Sequence, residues 1–109
     1  MNWLWKEVSK KAINSISIEF LLNRANTRAE EGNYQGAIED YNQVLRINPN
    51  EDAAYSNRGS ILAGIGEHEA AIQDYTQALR LNPFEAAPYY NRGISRAAIG
   101  DYIGAIQDY

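Results

Sequence analysis

The sequence predicts an all-α fold built from repeated antiparallel helix pairs, with one extra helix at the front. Three observations predict it. Asn-Arg recurs every 34 residues, at Asn23-Arg24, Asn57-Arg58 and Asn91-Arg92. A glycine recurs at the same step, as Gly32, Gly66 and Gly100. The block Ala-Ile-x-Asp-Tyr recurs at residues 37–41, 71–75 and 105–109. Aligned on these marks, residues 18–51 and 52–85 share 14 of 34 positions, and residues 86–109 share 13 of the 24 that can be compared with 52–85. A period of this length marks stacked units, none of which can bury its apolar face alone.

The leading segment, residues 1–17, stands apart. Trp5, Val8, Ala12 and Ile16 fall at helical spacing and predict a helix over residues 3–14. Asn14-Ser15-Ile16-Ser17 is expected to interrupt it, with Ser17 capping the helix that follows. Lys6, Lys10 and Lys11 against Glu7 give this segment a net +2, whereas residues 18–109 carry seven arginines against thirteen acids, net −6. Two readings stand. The helix is a capping lid on the first repeat, or, being basic with two tryptophans, it is a weak docking helix for a membrane surface or a partner.

Each repeat then reads as a hairpin of helix A and helix B. Tyr55, Gly59 and Leu62 share one face of helix A. Gly66 suits the left-handed residue just past a helix end. Asn33, Glu67 or Asp101 follows, and asparagine and aspartate cap the next helix well. Ala71, Tyr75, Ala78 and Leu79 form the stripe of helix B, which ends near Asn82-Pro83 because the residue before proline is steered out of the helical region. Arg46 and Arg80 fall in its last turn, where the helix dipole favours a cation. The repeats are 18–51, 52–85 and an incomplete 86–109.

This pattern resembles the tetratricopeptide repeat, a 34-residue helix–turn–helix unit. The second repeat matches through Tyr55, Gly59, Leu62, Ala71, Tyr75 and Pro83, and the third through Tyr89, Gly93, Ala105 and Tyr109. The first departs in helix A, with Leu21 for the aromatic and Ala25 for the glycine, but keeps Ala37, Tyr41 and Pro49. The resemblance implies a right-handed α-solenoid with a concave groove lined by the A helices. Carried over position by position, the groove takes Leu22, Asn23 and Asn26; Ser56, Asn57 and Ser60; and Tyr90, Asn91 and Ile94. The asparagine column suits an extended peptide, because an amide both donates to and accepts from a backbone; the alternative is a common family residue that makes a structural hydrogen bond. Where the family has leucine, every repeat here has an arginine: Arg24, Arg58 and Arg92. Sixteen residues later stands an aspartate, Asp40, Asp74 or Asp108, so a ladder of internal ion pairs is expected. The alternative is two independent solvated positions.

One family subtype grips the terminal carboxylate of a chaperone tail with lysines, arginine and asparagines. Asn26 and Asn57 match its amides, but its basic slots hold Leu22, Ala87 and Asn91. A carboxylate there would be desolvated unpaired, so no such binding is expected. Glu19 and Glu30 tilt the ligand toward a neutral or mildly basic peptide.

Other functions find little support. A net charge of −4 repels phosphate backbones and argues against nucleic acid. No apolar run reaches the roughly 18 residues of a membrane span, so no stable insertion is expected. Nor does an apolar run of signal length follow the Trp3-Leu4-Trp5 cluster. There is no cysteine, which excludes disulfides and thiolate metal sites and fits a cytoplasmic location. His68 occupies the packing slot of Tyr34 and Tyr102, and no nucleophile motif or metal-ligand spacing occurs. The sequence thus predicts an adaptor without catalytic residues, metal or cofactor. The runner-up is a regulatory or oligomerisation module that works through its terminal helices, with self-association through Ile106 and Tyr109.

Overall fold

In the computed structural model the backbone is described for residues 2–109 and the side chains for residues 4–109. Met1 and the side chains of Asn2 and Trp3, which the sequence assigns to the leading helix, lie outside the described residues. Six α-helices and no strand occur among the described residues: α1 (Asn2–Glu30), α2 (Tyr34–Ile47), α3 (Asp52–Gly64), α4 (His68–Leu81), α5 (Ala86–Ala98) and α6 (Tyr102–Asp108). The chain divides into two compact units, Met1–Pro49 and Asn50–Tyr109. In the first, α1 packs on α2. In the second, α3 packs on α4, α4 on α5 and α5 on α6, and α3 also meets α5.

The A-to-B turns are identical. Gly32, Gly66 and Gly100 have φ of 81°, 90° and 88°, a region only glycine enters without strain. Each glycine N–H bonds a carbonyl three residues back, and the next N–H bonds one five residues back, as in Asn33 to Arg28 at 2.7 Å and Glu67 to Leu62 at 2.8 Å. This closure satisfies the carbonyls that a helix end leaves open. Helix B then starts on a side-chain cap in two repeats: Asn33 accepts from the Gly36 N–H at 3.0 Å, and Asp101 from that of Gly104 at 2.9 Å. Glu67 makes no such bond.

The core lies between A and B helices. Ala37, Tyr41 and Val44 in the first unit, and Ala71, Tyr75, Ala78 and Leu79 in the second, are buried. Leu21 and Ala25, which depart from the family pattern, are buried in the same register. Glycine at 59 admits the B-helix tyrosine, since a Cβ there would come 3.0 Å from the Tyr75 ring.

One expectation is corrected. The leading segment is not a separate helix broken at residues 14–17; α1 runs unbroken for 29 residues, and Ser17 lies mid-helix and caps nothing. Asparagine and serine cost only a few tenths of a kcal/mol each in a helix. A break would instead expose up to eight backbone groups and require a second nucleation. With neither glycine nor proline between residues 2 and 30, nothing forces that break. Among the described side chains of the leading part, Leu4, Trp5, Val8, Ile13 and Ile16 are exposed.

Candidate functional site

Each repeat ties helix A to helix B through a buried carboxylate. Asp40, Asp74 and Asp108 are 0%, 6% and 9% exposed. Arg24 bonds Asp40 through Nε at 3.0 Å and Nη2 at 2.7 Å. Arg58 bonds Asp74 at 2.8 and 2.7 Å, and Arg92 bonds Asp108 at 3.0 and 2.8 Å, in the same two-pronged geometry. Such forked pairing is the stronger kind of ion pair. Each guanidinium also lies over an aromatic ring of its own helix, Phe20 at 5.2 Å and Tyr55 and Tyr89 at 5.6 Å. Hydrogen bonding to Asp74 raises the Arg58 pKa above its ordinary value, and Asp40 does the same for Arg24.

Sequence reasoning missed the second cations. Arg28 Nη1 reaches Asp40 at 3.0 Å, and Arg96 Nη1 reaches Asp108 at 2.8 Å. The signal was present, for Arg28 and Arg96 stand one turn after Arg24 and Arg92. Leu62 fills the slot in the second repeat, and Asp74 is held by Arg58 alone among the described residues.

The nine expected groove residues divide by what holds their polar atoms. On α1, Leu22 is half-buried and Asn23 exposed. The Asn26 carbonyl is already taken, accepting from the Tyr41 hydroxyl at 2.6 Å. On α3, the Ser60 hydroxyl donates to the Ser56 carbonyl at 3.2 Å and accepts from the Tyr75 hydroxyl at 3.2 Å. Burial pushes the Tyr75 phenol above its ordinary 10.0, partly offset by that bond to Ser60. Asn57 and Asn91 are half-buried, and among the described residues their side-chain amides, like that of Asn23, have no hydrogen-bond partner. On α5, Tyr90 and Ile94 are exposed, and Tyr90 sits 5.7 Å, centroid to centroid, from Tyr109. In the second unit, then, two free amides recur on α3 and α5 beside exposed apolar side chains. Such a surface can hydrogen-bond a peptide backbone and grip its apolar side chains. The Ser60 hydroxyl and the Asn26 carbonyl are committed to the fold.

His68 starts α4 and holds Ser95 of α5, Nδ1 to Oγ at 3.2 Å, so its slot is a packing position with one bond. Among the described residues no group of three histidines, cysteines or acids could hold a metal ion. None of the helices is long and apolar enough to cross a membrane.

A family model described as TPR repeat matches residues 25–66, and one described as tetratricopeptide repeat matches residues 53–84. No curated protein sequence matches the chain at significance. Among solved structures, the second TPR domain of Spaghetti bound to the HSP90 peptide SRMEEVD superposes with a TM-score of 0.88 at 26% identity, over 94% of this chain and 89% of that one. The Sgt2 TPR domain from Aspergillus fumigatus gives 0.80 at 29% identity, over 84% of this chain and 61% of that one. MamA gives 0.81 at 30% identity, over 96% of this chain and 60% of that one. The all-α solenoid class expected from the sequence is the class of these structures.

Proposed function

Because this chain belongs to the tetratricopeptide repeat family, we propose that it is an adaptor that binds an extended peptide segment of another protein along the α3 and α5 faces that carry Asn57 and Asn91. The observation that carries the reading is the unpartnered amides of Asn57 and Asn91, at one register on α3 and α5. A structural asparagine would be bonded to its own fold, as Asn26 is. An amide left without a partner at a half-buried site has bonding capacity to offer a ligand. Tyr90 and Ile94 of α5 supply apolar grip; in the first repeat, Asn23 and Leu22 hold the equivalent positions on α1. Glu19 and Glu30 favour a neutral or mildly basic peptide. Similar structures support peptide binding, since the Spaghetti domain holds an HSP90 peptide. Binding needs no catalytic group, cofactor or metal, and its setting is cytoplasmic.

The test is a peptide-display selection against the chain, followed by calorimetry with the winning sequences. Asn57→Ala with Asn91→Ala should weaken those peptides by about 10- to 100-fold, at roughly 1 kcal/mol per lost hydrogen bond. Unchanged affinity in the double variant would sink the reading.

The exposed Ile103 and Ile106 of α6, with Tyr109 just past its end, favour a second reading, association of copies through that helix. The same double variant separates the two, because α6 association would survive it in sedimentation equilibrium while groove binding would not.

A further inference from the structure

We propose that the leading half of α1 is an amphipathic helix that adsorbs reversibly to anionic phospholipid surfaces. The apolar stripe of α1 changes face along its length. From Leu21 onward the buried side chains, Leu21 and Ala25, point toward α2. At 3.6 residues per turn, Val8, Ala12, Trp5 and Ile16 fall within about 80° of arc, about half a turn away from that buried face. They point to solvent, with Trp5 71% and Ile16 67% exposed. The hairpin leaves Trp5, Val8 and Ile16 exposed, although Ile16 borders a shallow pocket with Gln43 and Ile47 of α2.

The charges fit a lipid surface better than a protein neighbour. Leu4 and Ile13, both exposed, widen this face to roughly half the helix circumference, with the polar Ser9 and Ser15 inside it. A single packed helix covers a narrower seam, whereas a planar bilayer wets a face this broad. Lys11 lies at one edge of the apolar face beside Leu4, and Lys6 at the other beside Ile13. Lysines at the edges can extend to phosphate headgroups while their stems stay on apolar surface. Glu7 lies near the middle of the polar face, farthest from the surface the apolar side would enter. This cationic segment belongs to a chain with a net charge of −4, so attraction to an anionic surface is local to it. Among the described residues no helix is long and apolar enough to cross a membrane. The mode is therefore adsorption in the headgroup plane.

The chain carries its own reporter, because its two tryptophans, Trp3 and Trp5, both lie in this segment. Vesicles of phosphatidylcholine and phosphatidylglycerol in equal parts should shift the emission to the blue and carry the full-length protein up a flotation gradient, while pure phosphatidylcholine does neither. Lys6→Gln with Lys10→Gln and Lys11→Gln should cut partitioning on the order of a hundredfold, at about fivefold per cation. Trp5→Glu should abolish flotation, with the circular dichroism melt unchanged because Trp5 is exposed. Failure to float on anionic vesicles overturns the proposal, and so does equal binding by the lysine variant. Emission already blue-shifted without lipid, and reversed on dilution, would also overturn it by assigning the face to a second copy.

Discussion

Asp74 is the residue on which the ion-pair pattern can be judged. Three nearly buried carboxylates each receive a forked arginine, but Asp40 and Asp108 have a second cation, from Arg28 and Arg96, and Asp74 does not. Arg58→Leu therefore strands a buried charge, and should cost about 3 kcal/mol, the low end for a broken buried pair because Arg58 keeps some contact with solvent. Arg92→Leu leaves Arg96 in place and should cost clearly less. Urea unfolding of both variants measures the order, and Arg58→Leu matching the parent would argue against the ladder. Tyr75 supplies a pH dependence. Its folded pKa is raised above 10.0, so its contribution to stability is complete below that pH and lost as pH rises through the raised value. Melting temperatures from pH 9 to 12 should fall less steeply in Tyr75→Phe than in the parent. Both features were partly legible. The 16-residue spacing of Arg and Asp announced the pairs, but the bond from a B-helix tyrosine to Asn26 or Ser60 joins groups that no local pattern connects.

At the scale of a helix, the caps explain a covariation between position one and position four of the A-to-B turn. Where the cap is Asn33 or Asp101, the residue three later is Gly36 or Gly104, and a Cβ there would collide with the capping side chain. Where the cap is Glu67, which makes no bond, the residue is Ala70. Short acceptors and glycine belong together, because the cap folds back over the first turn. In the parent, Ala70→Gly should cost about 1 kcal/mol of helix propensity. In a Glu67→Asn background the same change frees the cap and should recover about that much. A double-mutant cycle by chemical denaturation reads the coupling, and additivity would refute it. The unbroken α1 belongs to this scale too. Weak helix formers at 14–17 suggested an interruption, yet propensity alone cannot stop a helix that lacks a proline or glycine.

For the molecule as a whole, the family and the binding specificity part company. Similar structures hold chaperone peptides, yet the slots that would carry cations hold Leu22, Ala87 and Asn91 here. The peptide SRMEEVD seen with Spaghetti should give no measurable heat in calorimetry with this chain, and micromolar binding would refute the assignment of those slots. The sequence by itself determined the three stacked helix pairs, their turns and the buried stripes, but not that the leading segment runs unbroken into the first of them. Those features follow from backbone sterics and periodicity within about 34 residues, which the repeat states three times. Only the tertiary structure decided which polar groups remain for a partner. Tyr41 consumes the Asn26 carbonyl, and among the described residues the Asn57 and Asn91 amides have no partner. It also decided that the apolar face of the leading helix meets solvent. These outcomes depend on distances between side chains of different helices, and packing sets those distances after the local rules have done their part.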